Sequence, residues 1–392
     1  MSEFHDKLIV VMEKQYQIYE PYQSLCEMEN VKFQDIKTMI HSGDLHLIPT
    51  IPADWFKKNK SKGLFAKLSN FQNEGQWLVS SSTSGDSSYT WRTDADIQFV
   101  SDSFLYAFKK APSCNSIFFS PNIEFLNKVG SRFAIDDRPI RFYATVPTLA
   151  AEDYFQQPAY MAKLNTLSTM WAMIKTRGKG KPVLDLQENT LLKTINAAEQ
   201  DGTRLLFAIS VLMLYPTLMK LPDNYSLGDN AYFFTGAGGW DGKKGASQGA
   251  SIDKPKFVAD MVEKFNIPDR AVETNFWDGY GTTENGKAQA GAYSKEYGDF
   301  VFTVHDDVKL YIINPITGKP ALEGEKGYPR FVSPYGVEGF AGACIQQNDI
   351  VTVVSLFDDG SVKQFTHISR ASGDEGAGGV GCAYELVEGV RV

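Results

Sequence analysis

The residues best suited to chemistry lie in two polar stretches. Ser80-Ser81-Ser82-Thr83-Ser84-Gly85-Asp86-Ser87-Ser88 offers backbone N–H groups and hydroxyls that can wrap phosphates. It follows the short apolar run Trp77-Leu78-Val79, so a strand can feed it, and Arg92 can supply the positive charge the loop lacks. Asp86 works against an anion there, and the same composition also serves a solvated surface linker. The second stretch, Trp277-Asp278-Gly279-Tyr280-Gly281-Thr282-Thr283-Glu284, offers an aromatic face for a purine, hydroxyls for a phosphate and a carboxylate for a metal.

Between them, Thr235-Gly236-Ala237-Gly238-Gly239-Trp240 follows the strand-like run Ala231-Tyr232-Phe233-Phe234. Its glycines suit a close approach of backbone to a ligand, or a tight turn. The block does not fit the G-x-G-x-x-G dinucleotide pattern. Asp349, just ahead of Ile350-Val351, can accept hydrogen bonds from a ribose or serve as a turn residue. Cys382 stands between Gly381 and Ala383, behind a glycine-rich stretch over 373–379. Small neighbours on a mobile arm suit a nucleophilic thiol, although a lone cysteine otherwise packs as a small hydrophobe. Cys344, beside Ile345, is expected in the core.

These groups need a scaffold, and composition supports one. With 43% hydrophobic and 13% aromatic residues in 392, the chain can bury a large core and is not globally disordered. A net charge of −8, with both signs interspersed, leaves no basic stripe for nucleic acid. Cys26, Cys114, Cys344 and Cys382 lie too far apart for a zinc motif or a disulfide framework, and the five histidines show no metal spacing. Neither His305 nor His367 is expected to act. The N-terminus does not read as a signal peptide, and the longest apolar run, Leu205 to Tyr215, is too short to span a bilayer. A cytoplasmic location follows as the expectation.

Helices are expected over 3–20, 34–42, 153–175, 187–199, 203–219 and 255–265, the fourth ending near Gly202. His46 to Pro52 reads as extended, because each proline pushes its predecessor out of the helical region. Ile117-Phe118-Phe119, Phe142-Tyr143-Ala144 and Phe233-Phe234 read as strands, and alternation of strands with helices favours an α/β domain. From residue 299 the pattern turns to β, with strands over 300–304 and 308–313 and a turn at Asn314-Pro315-Ile316-Thr317-Gly318.

Taken in order, these blocks resemble the acyl-protein synthetase (LuxE-type) family of the acyl-adenylate-forming (ANL) superfamily. Ile48-Pro49 with Trp55-Phe56-Lys57 resembles its early proline segment, and Ser80-Ser81, Thr83, Gly85 and Ser88 its phosphate loop. Thr235-Gly236 with Gly238-Gly239-Trp240 resembles its Thr-Gly-Gly-Gly-Trp block, and Tyr280-Gly281-Thr282-Thr283-Glu284 the motif of the whole superfamily. Asn348-Asp349 stands where the ribose-binding aspartate does. Ser369-Arg370, Gly373, Glu375 and Gly381-Cys382 resemble the closing pattern, whose cysteine carries the acyl group. The chain departs from the pattern at Ser82, Ala237, Asp241 and Ser369, and by the extra residues Gly376 to Gly379.

The resemblance implies an α/β fold: mixed β-sheets flanked by helices plus a β-rich subdomain, over 1–368. A short arm, 369–392, would replace the usual lid of about a hundred residues, since it contains no lysine and is too short to fold alone. The implied activity is ATP- and Mg2+-dependent activation of a carboxylic acid as acyl-adenylate. Acyl transfer to Cys382 and then to a partner protein, an NADPH-dependent acyl reductase, would follow. Ser81, Thr83, Ser84, Gly85 and Ser88 would hold the β- and γ-phosphates, with Thr283 and Glu284 at the α-phosphate and metal. The stretch Gly236, Ala237, Gly238 and Gly239 and the Tyr280 ring would bracket the adenine, Trp240, Gly281 and Thr282 would belong to the same nucleotide site, Asp349 would hold the ribose, and Arg370 would lower the thiol pKa. An acyl- or aryl-CoA ligase, or a nucleotide-binding subunit without chemistry, are the competing expectations.

Overall fold

The computed structural model describes residues 3–56, 76–79, 89–108, 115–120, 140–144, 188–221, 224–236, 240, 251–282 and 284–370. Among these, thirteen strands join one mixed sheet. Its first half is parallel: β5 (Ile140–Ala144), β4 (Asn115–Ser120), β6 (Leu205–Ser210), β7 (Ala231–Gly236) and β8 (Phe276–Tyr280) lie side by side in that order. At β8 the direction changes. β9 (Gln289–Ser294) pairs antiparallel with it and leads through β10 (Asp299–Thr303), β15 (Val362–Arg370), β14 (Asp349–Leu356), β12 (Lys326–Val332) and β13 (Cys344–Gln346) to β1 (Ile51–Pro52), with β11 (Lys309–Ile313) paired to β12. The β-rich part therefore continues the parallel sheet. A separate hairpin pairs β2 (Gln76–Val79) with β3 (Tyr89–Arg92).

Two apolar clusters hold these layers. In the parallel half, Leu191 and Ile195 of α5 (Glu188–Asp201), Val211, Leu214 and Leu218 of α6 (Val211–Met219), and Phe257, Met261 and Phe265 of α7 (Lys254–Phe265) bury against Phe207, Phe233 and Phe276 of the sheet. The three sheet phenylalanines stack across β6, β7 and β8, with ring centroids 5.2 and 4.7 Å apart, which ties the register of the parallel strands to a filled core. In the antiparallel half, α1 (Glu3–Ile18), α2 (Glu20–Met28) and α3 (Phe33–Ser42) cover β11, β12 and β13. Leu8, Met12, Tyr22 and Ile36 there meet Tyr311, Val332, Cys344 and Ile345.

Several expected elements form at the expected places, among them β2, β4, β5, β7, β10, α3, α5 and α7. The first expected helix is two, broken at Tyr19, whose extended backbone (φ −103°, ψ 93°) starts a second helix with Pro21 in its first turn, where no N–H is needed. Leu45–Leu47 makes one tight helical turn before the extended residues that lead into β1. The expected helix over 203–219 is a strand, β6, followed by a helix, α6, which continues through Pro216. A parallel strand buried on both faces is apolar at every position, so it cannot be told from a buried helix by period. The sequence reading also had no helix over Asp94–Phe108, where α4 forms. Thr93 and Asp96 cap it reciprocally: each side chain accepts from the other's N–H at 3.1 Å. The helix expected over 153–175 and the arm beyond 370 lie outside the described residues. No helix among the described residues is long and apolar enough to cross a membrane.

Candidate active site

Both signature blocks leave the sheet at the same end. The glycine block follows β7 and the Tyr280 motif ends β8, and these neighbours run parallel with Thr235 beside Asp278 and Gly236 beside Gly279. In open α/β sheets, ligands bind outside the carboxyl ends of the strands, where strand order changes. β8 is where this sheet changes from parallel to antiparallel. Gly279 is close-packed there: a Cβ would lie 3.1 Å from the Phe234 ring, so glycine keeps β7 and β8 in register.

One carboxylate closes the glycine block at both ends. Asp278 Oδ1 accepts from Thr235 Oγ1 at 2.8 Å, and Asp278 Oδ2 accepts from the Trp240 indole N–H at 3.2 Å. Thr235 and Trp240, on either side of the glycines, are thus anchored to one side chain. Burial pushes the Asp278 carboxyl above the usual carboxylate range, and the Lys254 charge and the two hydrogen bonds pull the other way. Lys254 itself pairs with Asp299 and lies 5.9 Å from the Trp240 ring, and Asp299 also meets His367 Nδ1 at 3.1 Å.

Tyr280 and Asp349 come together from distant parts of the chain. The phenol donates to Asp349 Oδ2 at 2.7 Å, and its ring lies among Phe302, Phe331 and Phe365. Asp349 is the first residue of β14, and its register partner in β15 is Arg370. β15 runs through Ser369 and Arg370, two residues past the boundary expected between domain and arm. Arg370, after which the sequence runs on to Cys382, thus lies directly beside Asp349.

The turn after Tyr280 is clamped from two sides. Thr282 accepts from Asn285 N through its hydroxyl (3.1 Å) and from Gly286 N through its carbonyl (2.7 Å). Glu284 is 7% exposed, and its carbonyl accepts from Arg92 Nη2 at 3.0 Å. Arg92 also donates to the carbonyl of Gly336 and lies over the Phe340 ring at 3.8 Å. It therefore links β3, the strand that leaves the serine loop, to the Glu284 turn. Asp96 holds the loop that Arg92 also touches at Gly336, accepting from the N–H groups of Glu338 and Gly339 at 2.8 and 2.9 Å.

Of the residues expected from the sequence, Gly236, Trp240, Tyr280, Gly281, Thr282, Glu284 and Asp349 are described, with the backbone of Arg370. Ser81, Thr83, Ser84, Gly85, Ser88, Ala237, Gly238, Gly239, Thr283 and Cys382 lie outside the described residues. Cys344 is buried as expected, and His305 and His367 pair with Asp307 and Asp299. Sequence reasoning missed Asp96 and the buried Lys287, two residues past the Glu284–Asn285 pair. The Thr93-x-x-Asp96 spacing was a legible signal for the first, whereas no local pattern marks the second as buried.

Among the described residues no group of three or more His, Cys, Asp or Glu side chains is placed to hold a metal ion. A single carboxylate, Glu284, suits Mg2+ arriving with nucleotide phosphates, which bring most of that ion's ligands.

Comparison with known proteins agrees with the mixed α/β fold. In its fold the chain is similar to 2-hydroxyisobutyryl-CoA ligase. The open conformation of that enzyme, in complex with 2-HIB-AMP and CoA, superposes with a TM-score of 0.54 at 10% identity, covering 92% of this chain and 67% of that one. Its thioesterification state, also with 2-HIB-AMP and CoA, gives 0.53 at 11% identity, and a postadenylation state with R3-HIB-AMP gives 0.54 at 10%. Each of those two matches covers 92% of this chain and 65% of the other, so the chain spans about two thirds of the length of these ligases. No curated protein matches the chain. The model of the family described as "Acyl-protein synthetase, LuxE" matches residues 2–389, and the chain belongs to that family of ligases.

Proposed function

We propose that the protein activates a carboxylic acid with ATP and then carries the acyl group as a thioester on Cys382. The observation that carries this reading is the meeting of Tyr280, Asp349 and the Arg370 backbone at the carboxyl ends of β7 and β8. Adenine would sit between the 236–239 loop and the Tyr280 ring, and Asp349 would accept from the ribose hydroxyls. The serine loop would receive the β- and γ-phosphates. Thr282 and Thr283 would face the α-phosphate, and Glu284 would hold Mg2+. When bound with the nucleotide, that ion supplies charge neutralisation at the phosphates.

In the first step a carboxylate oxygen attacks the α-phosphorus, the bond from that phosphorus to the β-phosphate oxygen breaks, and pyrophosphate leaves. Arg92, bonded to the Glu284 carbonyl, would hold that turn in place while charge moves past it. In the second step the Cys382 thiolate attacks the acyl carbon, and AMP leaves with the oxygen that joined them. An ordinary thiol pKa of about 8.5 leaves a few per cent as thiolate at neutral pH, and Arg370 would raise that fraction.

Cys382 lies twelve residues beyond Arg370. A chain of that length reaches at most about 40 Å, ample to return to the strand end it leaves. The division that fits this chemistry is a large domain over 1–368 and an arm over 369–392 whose first two residues finish β15. A partner protein, an acyl reductase in the reading adopted here, would then take the acyl group.

Intact-protein mass spectrometry after incubation with ATP, Mg2+ and a pool of short, long and aromatic acids tests the proposal. The expected result is a hydroxylamine-labile acyl adduct that Cys382→Ser loses while acid-dependent AMP release continues as a single turnover. An adduct-free protein that turns over steadily only with CoA would move the function to a CoA ligase.

A further inference from the structure

The stretch from Glu284 to the first residue of β9 holds three buried side chains with more N–H donors than hydrogen bonds made. Asn285, Lys287 and Gln289 are 3%, 2% and 1% exposed. Among the described residues, Asn285 Nδ2 and Gln289 Nε2 have no hydrogen-bond partner. The orientation of the Gln289 amide is set, because its Oε1 accepts from His305 N at 2.7 Å, leaving the NH2 as the free end. Lys287 Nζ donates only to the Asn285 carbonyl, at 3.3 Å, with no carboxylate paired to it among the described residues. Its other near neighbour is the Phe99 ring, 5.7 Å away.

Native interiors rarely leave such groups without acceptors, and a buried cation without a counter-charge is among the costliest arrangements a fold can keep. Burial and the Arg92 charge push the Lys287 ammonium down to about 7, although Asp96 and Asp307 favour it. The row begins next to Glu284 and ends at Gln289, which faces Tyr280 across the β8–β9 ladder. It thus borders the two residues placed above at the metal and the adenine.

We propose that Asn285, Lys287 and Gln289 form the anion-binding part of the acid's own site and hold a carboxylate of the substrate. The inference rests on the adenylation reading of this site. One cation and two unpartnered amide donors within five residues suit a monoanion: the charges would cancel, and the carboxylate's remaining lone pairs would have N–H donors to accept from. A phosphate group, with more charge, would leave an unbalanced anion in the same surroundings. The carboxylate is either the reacting one, common to all acids, or a second one on a diacid.

The test compares wild type, Lys287→Met and Gln289→Leu with octanoate, benzoate and adipate. Acid-dependent exchange of pyrophosphate into ATP gives separate KM values for acid and for ATP, and calorimetric titration with each acid gives binding without turnover. Loss of a charge-assisted hydrogen bond should raise the acid KM or Kd roughly 10- to 100-fold, leaving the ATP KM within about twofold. An effect on all three acids assigns the reacting carboxylate, and an effect on adipate alone assigns a second one. Unchanged acid constants in both variants, or a rise confined to the ATP KM, overturns the inference. Gln289→Leu decides the matter if Lys287→Met does not fold. Should wild type bind acids without any exchange, and lose that binding in Lys287→Met, the adenylation reading falls and the carboxylate site stands.

Discussion

At the scale of single residues, Asp278 shows how one side chain can join two residues five positions apart, Thr235 and Trp240. Removing it leaves the Thr235 hydroxyl and the Trp240 indole without their acceptor, so Asp278→Ala should cost about 2–4 kcal/mol; Asp278→Asn, which keeps one acceptor oxygen, should cost less than half of that. Urea denaturation checks both. The pH dependence follows from burial. Because the folded pKa of Asp278 is raised, the native state binds more protons than the unfolded state just above the ordinary carboxylate range. This contribution to stability is present at low pH and fades as pH rises through the folded pKa; Asp278→Asn should lack that slope. Lys287 behaves in the opposite direction. With a folded pKa of about 7 against an ordinary lysine value, the unfolded state holds the extra proton between about pH 7 and 10, so stability rises with pH across that window. Wild type should therefore gain stability relative to Lys287→Met from pH 7 to pH 10 in thermal melts, and an unchanged difference would count against a depressed lysine.

At the scale of elements, the turn that follows β8 depends on a glycine outside the recognised motif. Gly286 has φ +69°, and a Cβ there would lie 2.9 Å from Arg92 Nη2 and 3.0 Å from Val100 Cγ2. Gly286→Ala should cost roughly 2–3 kcal/mol, from strain in the left-handed region and displacement of a buried guanidinium. Gly281→Ala, whose Cβ would meet its nearest neighbour at 3.5 Å, should cost less than about 1 kcal/mol. Chemical denaturation of the pair separates backbone demand from motif membership. The contrast also marks what was legible in the chain. Tyr280 and Asp349 stood out by residue type and motif, and β7 and β10 as short apolar runs, whereas β8 and β9 around the motif were not marked. Local pattern did not mark the burial of Lys287 or the contact of Arg92 with the Glu284 carbonyl, because partners some 190 residues apart, 92 and 284, leave no trace in sequence spacing. The Leu205 to Ser210 strand was misread for a different reason: full burial on both faces erases the alternation that identifies a strand.

At the scale of the whole molecule, the two apolar clusters also divide the thiols. Cys26 lies on α2 and Cys344 on β13, both within the cluster that joins the N-terminal helices to the antiparallel half of the sheet. Burial pushes each thiol up to about 12, so neither supplies thiolate at neutral pH. Any acyl group carried by the folded protein must then be sought on Cys114 or Cys382, and the resemblance favours the second. Alkylation by iodoacetamide at pH 8, followed by peptide mass spectrometry, should leave Cys26 and Cys344 unmodified until the chain unfolds. The packing that shields them gives the converse test. Met12 is fully buried, and its Sδ lies 3.9 Å from Cys344 Sγ. Met12→Ala should open a cavity costing about 2–5 kcal/mol and make Cys344 the first of the pair to be alkylated. It should leave the KM for ATP unchanged, since Met12 belongs to the second cluster and Tyr280 packs against the first. A variant that kept Cys344 protected while losing ATP affinity would mean that the N-terminal helices serve the site directly and not only the core beneath it.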